Sequence, residues 1–365
     1  MTPLPKWVEN GLMPVLNLTL AFLVAGLVVL MIGEDPLEAV GHILYGAFGY
    51  GEGIGYTLFY TTNFIFTGLA VAVAFHASQF NIGGEGQAYI GGLGAGLAVL
   101  ALDRILPWWA ILPIATLGAA AFGMVWGAVP GWLQAKRGAH VVITTIMFNF
   151  LAASLMGYLI VNYLKVPGNA SVQSRTFEEG ARLPHLEEAM ALFGYDIGGA
   201  PLNITFLMAL VACLLVWLLI WRTKLGYEIR VFGANPGAAA YAGINGVRIT
   251  VIVMAISGAL AGMMALNPVM GEQNRIFLDI AGGAGFVGIA VAMMGRGHPA
   301  GILMAALLFG VLYQGGAELA FEMPSITRDM VVLIQGLAIL FAGAMEQLFR
   351  PLMVRIFAPA RGVEA

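Results

Sequence analysis

At 365 residues, the chain is 60% hydrophobic and only 10% charged, where soluble domains average about a quarter charged residues. No soluble core absorbs that much apolar surface, so the composition excludes a water-soluble globular protein and points to an all-α polytopic membrane protein. A net charge of −3 leaves no basic excess for nucleic acid, and no such partner is expected.

Apolar runs suited to crossing a bilayer, which takes roughly 20 helical residues, fall at 14–32, 56–77, 85–102, 107–133, 141–164, 203–221, 248–267, 281–295, 299–320 and 330–348. The first has Lys6 before it and no small-x-small cleavage site ahead of "EDPLEAV", so it reads as an anchor and not a removed leader. About ten transmembrane helices are expected. Their alternation assigns eleven of the seventeen Lys and Arg to one side, Lys6, Lys136, Arg137, Arg222, Lys224, Arg230, Arg248, Arg296, Arg350, Arg355 and Arg361. By the positive-inside rule that side is cytoplasmic, with both the N-terminus and the C-terminus on it. The count also admits two inverted five-helix repeats, with Gly-rich interruptions at matching places, "FNIGGEGQ" and "LDIAGGAGFVGIAVAMMG", as transporters often show. Residues 165–202 then form a long extracytoplasmic loop and 222–248 the longest cytoplasmic one.

The chain carries no chemistry of its own. None of its four lysines precedes Ser or Thr, which excludes a G-x-x-x-x-G-K-[ST] phosphate loop. The five histidines are scattered, no H-E-x-x-H occurs, and no metal site is expected. G-x-S-x-G is absent as well. Cys213 is the single cysteine and lies in an apolar run, where it reads as packing.

The 222–248 segment, "RTKLGYEIRVFGANPGAAAYAGINGVR", is more than a linker. Asn235 suits an N-cap, accepting from free N–H groups. Pro236 suits the first helical position, and Gly243 can end the turn in a left-handed cap. A helix of about two turns is expected, too short to be stable alone. Its small face, Ala239 included, and Tyr241 suit a groove on a partner, although packing on the protein's own surface is the plainer alternative.

The stretch "FHASQFNIGGEGQAYIGG" is polar and Gly-rich within an apolar chain. Polar groups at membrane depth are costly unless they face protein, water or substrate. Gly83, Gly84 and Gly86 allow the helix to break. Asn81 can cap a helix beginning near Gly84, and Glu85 would sit in its first turn, where the dipole favours a carboxylate.

Three motifs in order, "TGLAVAVAFHASQFNIGGEGQAYIGG", "TKLGYEIRVFGANPGAAAYAGI" and "GGAGFVGIAVAMMGRGHPAGIL", resemble permease subunits of ABC importers in the branched-chain amino acid, ribose and nucleoside group. The resemblance is strongest to the longer permease of nucleoside systems linked to basic membrane lipoproteins. It implies a multi-pass protein of the bacterial cytoplasmic membrane and a non-catalytic path for a small neutral solute, nucleosides first and a simple sugar such as ribose second. It implies no cofactor in this chain, ATP and Mg being bound by a partner ABC ATPase. The other implied partners are a second homologous permease, an extracytoplasmic substrate-binding protein or lipoprotein, and membrane lipid. By resemblance, Asn235, Pro236, Ala239, Tyr241 and Gly243 belong to the coupling helix that enters the ATPase. Candidates for the substrate path are Asn63, Phe64, Phe80, Asn81, Glu85, Gln87, Asn149 and Phe286, amides and carboxylate for hydrogen bonds and rings for stacking on a nucleobase. For Asn63 and Asn149, as for Asn267 and Gln335, a helix–helix hydrogen bond is the plainer role. An ion-driven secondary transporter is the competing class, and its buried carboxylate would have to be Glu85 or Glu346.

Overall fold

The computed structural model describes residues 13–168, 170–187, 191, 192, 194, 197–327, 329–337 and 340, with 5, 8, 12, 353 and 354 near the ends. It divides into two compact units, residues 1–49 with 311–365, and residues 50–310. Among the described residues the regular structure is helical, apart from isolated β-bridges such as Lys165 with Ser174.

In the first unit, helix α1 (Met13–Ile32) ends at Gly33, whose φ of 93° turns the chain. Asp35 then caps α2 (Pro36–Phe48) by accepting from the Leu37 N–H at 2.8 Å, with Pro36 at the first helical position. The two helix axes are bent by 115°. Ala25, Val29, Ala39, Ile43 and Ala47 pack with Val311, Leu319, Met323, Ile326, Val331 and Ile334 into one apolar core. Helix α2 falls between the first two expected spans, 14–32 and 56–77, and the Asp35–Pro36 pair is its N-terminal signal.

The second unit is built around α3 (Gly51–His76), which runs into α4 (Gly84–Leu102) through a break at 77–83. Then follow α5 (Trp108–Arg137) and α6 (Val141–Leu159), the latter prolonged by a π turn, Ile160–Leu164. Next come α7 (Thr205–Arg222), α8 (Lys224–Ala234), α9 (Pro236–Tyr241) and α10 (Gly246–Met264), with a second π turn at Asn267–Glu272. A loop leads to α11 (Ala284–Met294), and α12 (Pro299–Glu322) belongs to this unit as far as Gly310. The rest of the chain buries 83% of the apolar stretch of α3 but only 33% of that of α5 and 28% in each of α6 and α7. Helix α3 is therefore the central post, and α5, α6 and α7 offer their apolar faces outward, as lipid-facing helices do.

Small residues let the interior helices touch backbone to backbone. A Cβ added at Gly123 of α5 would stand 2.2 Å from the Gly258 carbonyl of α10, and one at Gly127 would stand 2.5 Å from that of Met254. In a membrane, where burial of apolar surface gives little drive between helices, such close van der Waals contact is a main source of cohesion.

Six helices among the described residues are long and apolar enough to cross a membrane, or seven if the bent α1–α2 pair counts as one. That is fewer than the ten expected. Helix α4 opens on Glu85 and Gln87, which lower its hydropathy. The stretch at 281–295 becomes α11, only 11 residues long, about half of what a crossing needs. The 330–348 stretch is described only at 330–337 and 340, and Glu346 lies outside the described residues.

At one end of this unit, the described residues between 165 and 204 form a pinned cover. The Arg175 guanidinium forks onto Asp103 at 2.6 and 2.8 Å and also donates to the Leu100 carbonyl. Phe177 is fully buried beside Met156, Ile160 and Leu183. The Ser174 N–H donates to the Ile276 carbonyl, and that of Leu183 to Met270. Helices α8 and α9 lie at the opposite end of α3.

Candidate functional site

The break between α3 and α4 gathers most of the polar path candidates. Asn81 Nδ2 donates to Gln87 Oε1 at 2.9 Å and to Ser257 Oγ at 2.8 Å, and Ser257 Oγ donates to the Ala70 carbonyl at 2.6 Å. Asn81 Oδ1 accepts from the Gly83 N–H at 2.8 Å. Asn81 thus shapes the turn, while the N-cap position itself is Gly83, which makes no side-chain cap bond. The free N–H groups of α4 are served from another helix: Asn149 of α6 accepts from the Gly86 N–H at 2.8 Å and donates to the Ile82 carbonyl at 2.9 Å.

Glu85 is buried, and its carboxylate serves a helix other than its own. Its two oxygens accept from the Gly283 and Gly285 N–H groups, each at 2.9 Å. It therefore caps the N-terminus of α11, where free N–H groups and the dipole favour an anion. The two Gly-rich interruptions read in the sequence meet here; a Cβ at Gly285 would stand 2.2 Å from the Glu85 nitrogen. One turn along α4, the Tyr89 hydroxyl donates to Asp279 at 2.9 Å, a second tie between the same segments that the sequence did not signal.

Asn63 belongs to a different network, toward the end covered by 165–204. Asn267 Nδ2 donates to Asn63 Oδ1 at 2.9 Å and to the Phe59 carbonyl at 3.0 Å. Asn267 Oδ1 accepts from Asn203 Nδ2 at 2.8 Å and from Thr205 Oγ1 at 2.9 Å. This buried cluster fastens α3, the start of α7 and the π turn after α10. In both networks the amides pair with one another or with backbone, the condition under which buried polar groups become structural assets.

The aromatic candidates separate. Phe64 is fully buried and stands edge-on to Phe309 with ring centres 6.3 Å apart. Phe80 is half-buried and edge-on to Phe75 at 5.3 Å. Phe286, on α11, is 49% exposed. Phe80 and Phe286 reach the surface of the chain; Phe64 does not.

At the other candidate site, Thr223 caps α8 by accepting from the Gly226 N–H at 3.0 Å. Asn235 ends α8 and caps α9, accepting from the Ala238 N–H at 3.0 Å. Pro236 takes the first helical position, and Gly243, at φ 76°, closes the turn. Tyr241 is 98% exposed, while Ala239 is fully buried. Ala239 thus anchors the helix to its own chain, and Pro236, Ala240 and Tyr241 face outward. Helix α8, a full 11 residues, has no counterpart in the sequence reading, which placed only the short second helix.

Comparison with known proteins gives a consistent group of relatives. The family model described as the permease component of branched-chain amino acid transport systems matches residues 53–343. A glucose ABC transporter permease protein of Haloferax volcanii is 32% identical over 99% of this chain and 94% of its own length. A guanosine ABC transporter permease protein of Bacillus subtilis is 33% identical over 90% of this chain and 92% of its own. A nucleoside ABC transporter permease protein of Lactococcus lactis is 31% identical over 87% and 85%.

Proposed function

The chain belongs to the permease family of branched-chain amino acid transport systems, and from that we propose that it forms the translocation path of an ATP-driven importer for nucleosides. It is a multi-pass, non-catalytic ABC transporter permease, so the ATPase is a separate subunit. The nucleoside reading is carried by the guanosine and nucleoside permeases that align along 90% and 87% of the chain. A hexose is the second reading, favoured by the glucose permease that aligns along 99% of it.

In this proposal the end bearing α8 and α9 faces the cytoplasm. Lys136, Arg137, Arg222, Lys224 and Arg248 lie near the helix ends there and Arg230 lies within α8, in line with the positive-inside rule. Lys6, Arg350, Arg355 and Arg361 flank the two termini in sequence, which by the same rule are cytoplasmic too. The cover at 165–204 then faces outward, toward a substrate-binding protein or lipoprotein. A homologous second permease completes the path in the cytoplasmic membrane. Phe80 and Phe286 are the stacking candidates that the chain leaves accessible to such a path. Asn81, Gln87, Asn149, Asn63 and Glu85 frame the path through the bonds they make to one another and to backbone. The exposed α9 is the coupling helix for the ATPase.

The test is uptake of radiolabelled guanosine and glucose by cells lacking the gene and by complemented cells. The proposal expects guanosine uptake to disappear without the gene and to be competed by unlabelled nucleosides but not by glucose. Loss confined to glucose uptake supports the second reading instead.

A further inference from the structure

Helix α8, which carries α9 on its end, is locked to the bundle. At its far end the backbone of Gly233 lies against the turn that follows α3. A Cβ added there would stand 2.1 Å from the His76 carbonyl oxygen and 3.1 Å from the Ala77 Cα. Both obstacles are backbone, so no side chain can swing aside. Ser78 Oγ donates to the Gly233 carbonyl at 2.8 Å. Ser78 holds φ 57°, a left-handed conformation that non-glycine residues seldom adopt and that persists only where surroundings fix it. Just before α8, at the end of α7, Trp221 stands edge-on to His76 at 5.2 Å and 5.0 Å from His298. His76 Nε2 lies 3.2 Å from the Gly297 carbonyl oxygen.

The positions of these contacts along the chain matter more than their number. Ser78 lies within the break whose turn Asn81 shapes. Gly297 and His298 lie in the turn between α11, whose other end Glu85 holds, and α12. Helix α8, 11 residues and about 16 Å long at 1.5 Å per residue, therefore touches the outlet of the first interrupted segment and leads into the exposed α9, while Trp221, at the end of α7 just before it, touches the outlet of the second. A rigid element joined in this way passes on a displacement that a flexible loop would absorb.

We propose that the contact of Gly233 with His76 and Ser78 is the joint through which movement of α9 reaches the break between α3 and α4, with Gly233 and Ser78 as positioning residues for transport coupling. The Trp221 ring, at the end of α7 between His76 and His298, links the same break to the turn after α11. This rests on the reading that the ATPase engages α9.

The experiment uses the full importer in vesicles and records ATP hydrolysis and nucleoside uptake side by side. In Gly233→Ala the backbones must separate; uptake per ATP hydrolysed falls about tenfold, within the span of typical site-to-site couplings, while the ATPase still co-purifies and still hydrolyses ATP. Ser78→Ala removes one hydrogen bond and lowers the ratio about threefold. Gly157→Ala, at a glycine with nothing within 4 Å of the added Cβ, leaves it unchanged. A merely structural contact would lower both activities together and keep their ratio, and a wild-type ratio in assembled Gly233→Ala and Ser78→Ala complexes overturns the proposal. If Gly233→Ala does not assemble, Ser78→Ala decides alone: a lowered ratio supports the joint and an unchanged one removes it. Failure of the wild-type chain to bind any ATPase overturns the functional reading itself, and is told apart because it precedes any substitution.

Discussion

Replacing Glu85 by Gln exchanges one carboxylate oxygen for an amide nitrogen and leaves shape and volume nearly unchanged. Both oxygens of Glu85 accept from backbone, from Gly283 and Gly285 at 2.9 Å each, and the residue is only 6% exposed. Glutamine can satisfy one of these donors; its NH₂ group then faces the other N–H, donor against donor. A hydrogen bond to a charged group contributes about 1.5–3 kcal/mol, and a buried donor left without a partner costs about 1–3 kcal/mol. The surviving bond also becomes neutral and weaker, so the expected loss is about 3 kcal/mol. For a chain of 365 residues, at about 2.1 cal/mol/K of unfolding entropy per residue, that is a fall of roughly 4 °C in the unfolding midpoint, measured on the detergent-solubilised protein. Amide hydrogen exchange at Gly283 and Gly285 should accelerate, since both N–H groups lose their fixed acceptor. Glu85→Asp, one methylene shorter, should fall between the two. A Glu85→Gln midpoint within a degree of wild type would refute the reasoning, because it would mean the site tolerates a neutral group and the carboxylate does not hold α11.

Three further outcomes follow from the same geometry. Asn203→Ala orphans Asn267 Oδ1 on one side and removes the acceptor of the Thr205 N–H, so thermal unfolding should show a loss of about 2–3 kcal/mol. The guanidinium of Arg175, hydrogen-bonded to Asp103, holds that carboxyl below the usual carboxylate range. With the folded value below the unfolded one of about 3.9, the pair's contribution is complete above that pH and is lost as pH falls through the lowered value; limited proteolysis within 165–204 should therefore rise on acidification below about pH 4, and Arg175→Ala should be cut readily at neutral pH. Tyr241→Asp alters a side chain that is 98% exposed, so stability should stay within about 0.5 kcal/mol of wild type while nucleoside uptake fails.

What could be read from the sequence was local. Asn235, Pro236 and Gly243 signal a capped turn through their own backbone chemistry, and the structure has that turn. The same chemistry at Asp35 and Pro36 starts α2, in a stretch that apolar run length leaves between the first two expected spans. Glu85 was legible as a carboxylate at a helix start, but the helix it caps is set by tertiary packing across about 200 residues of chain. Likewise, nothing near Asn149 or Ser257 says that they meet Gly86 and Asn81. The expectation of ten crossings came from apolar run length, which does not distinguish a full span from the half-length α11. Phe64 and Phe286 are equally apolar in sequence, and only the packing of α3 at the centre of its unit separates the buried ring from the exposed one.

The central claim is that an ATPase drives this permease through α9. The most direct measurement places a cysteine at Tyr241, with Cys213, the only native cysteine, changed to Ser, and cross-links it in membranes that contain the whole importer. The account predicts a product containing this chain and the ATPase, whose yield changes when ATP is bound. No cross-link to an ATPase, together with nucleoside transport by the purified chain alone under an ion gradient, would contradict it.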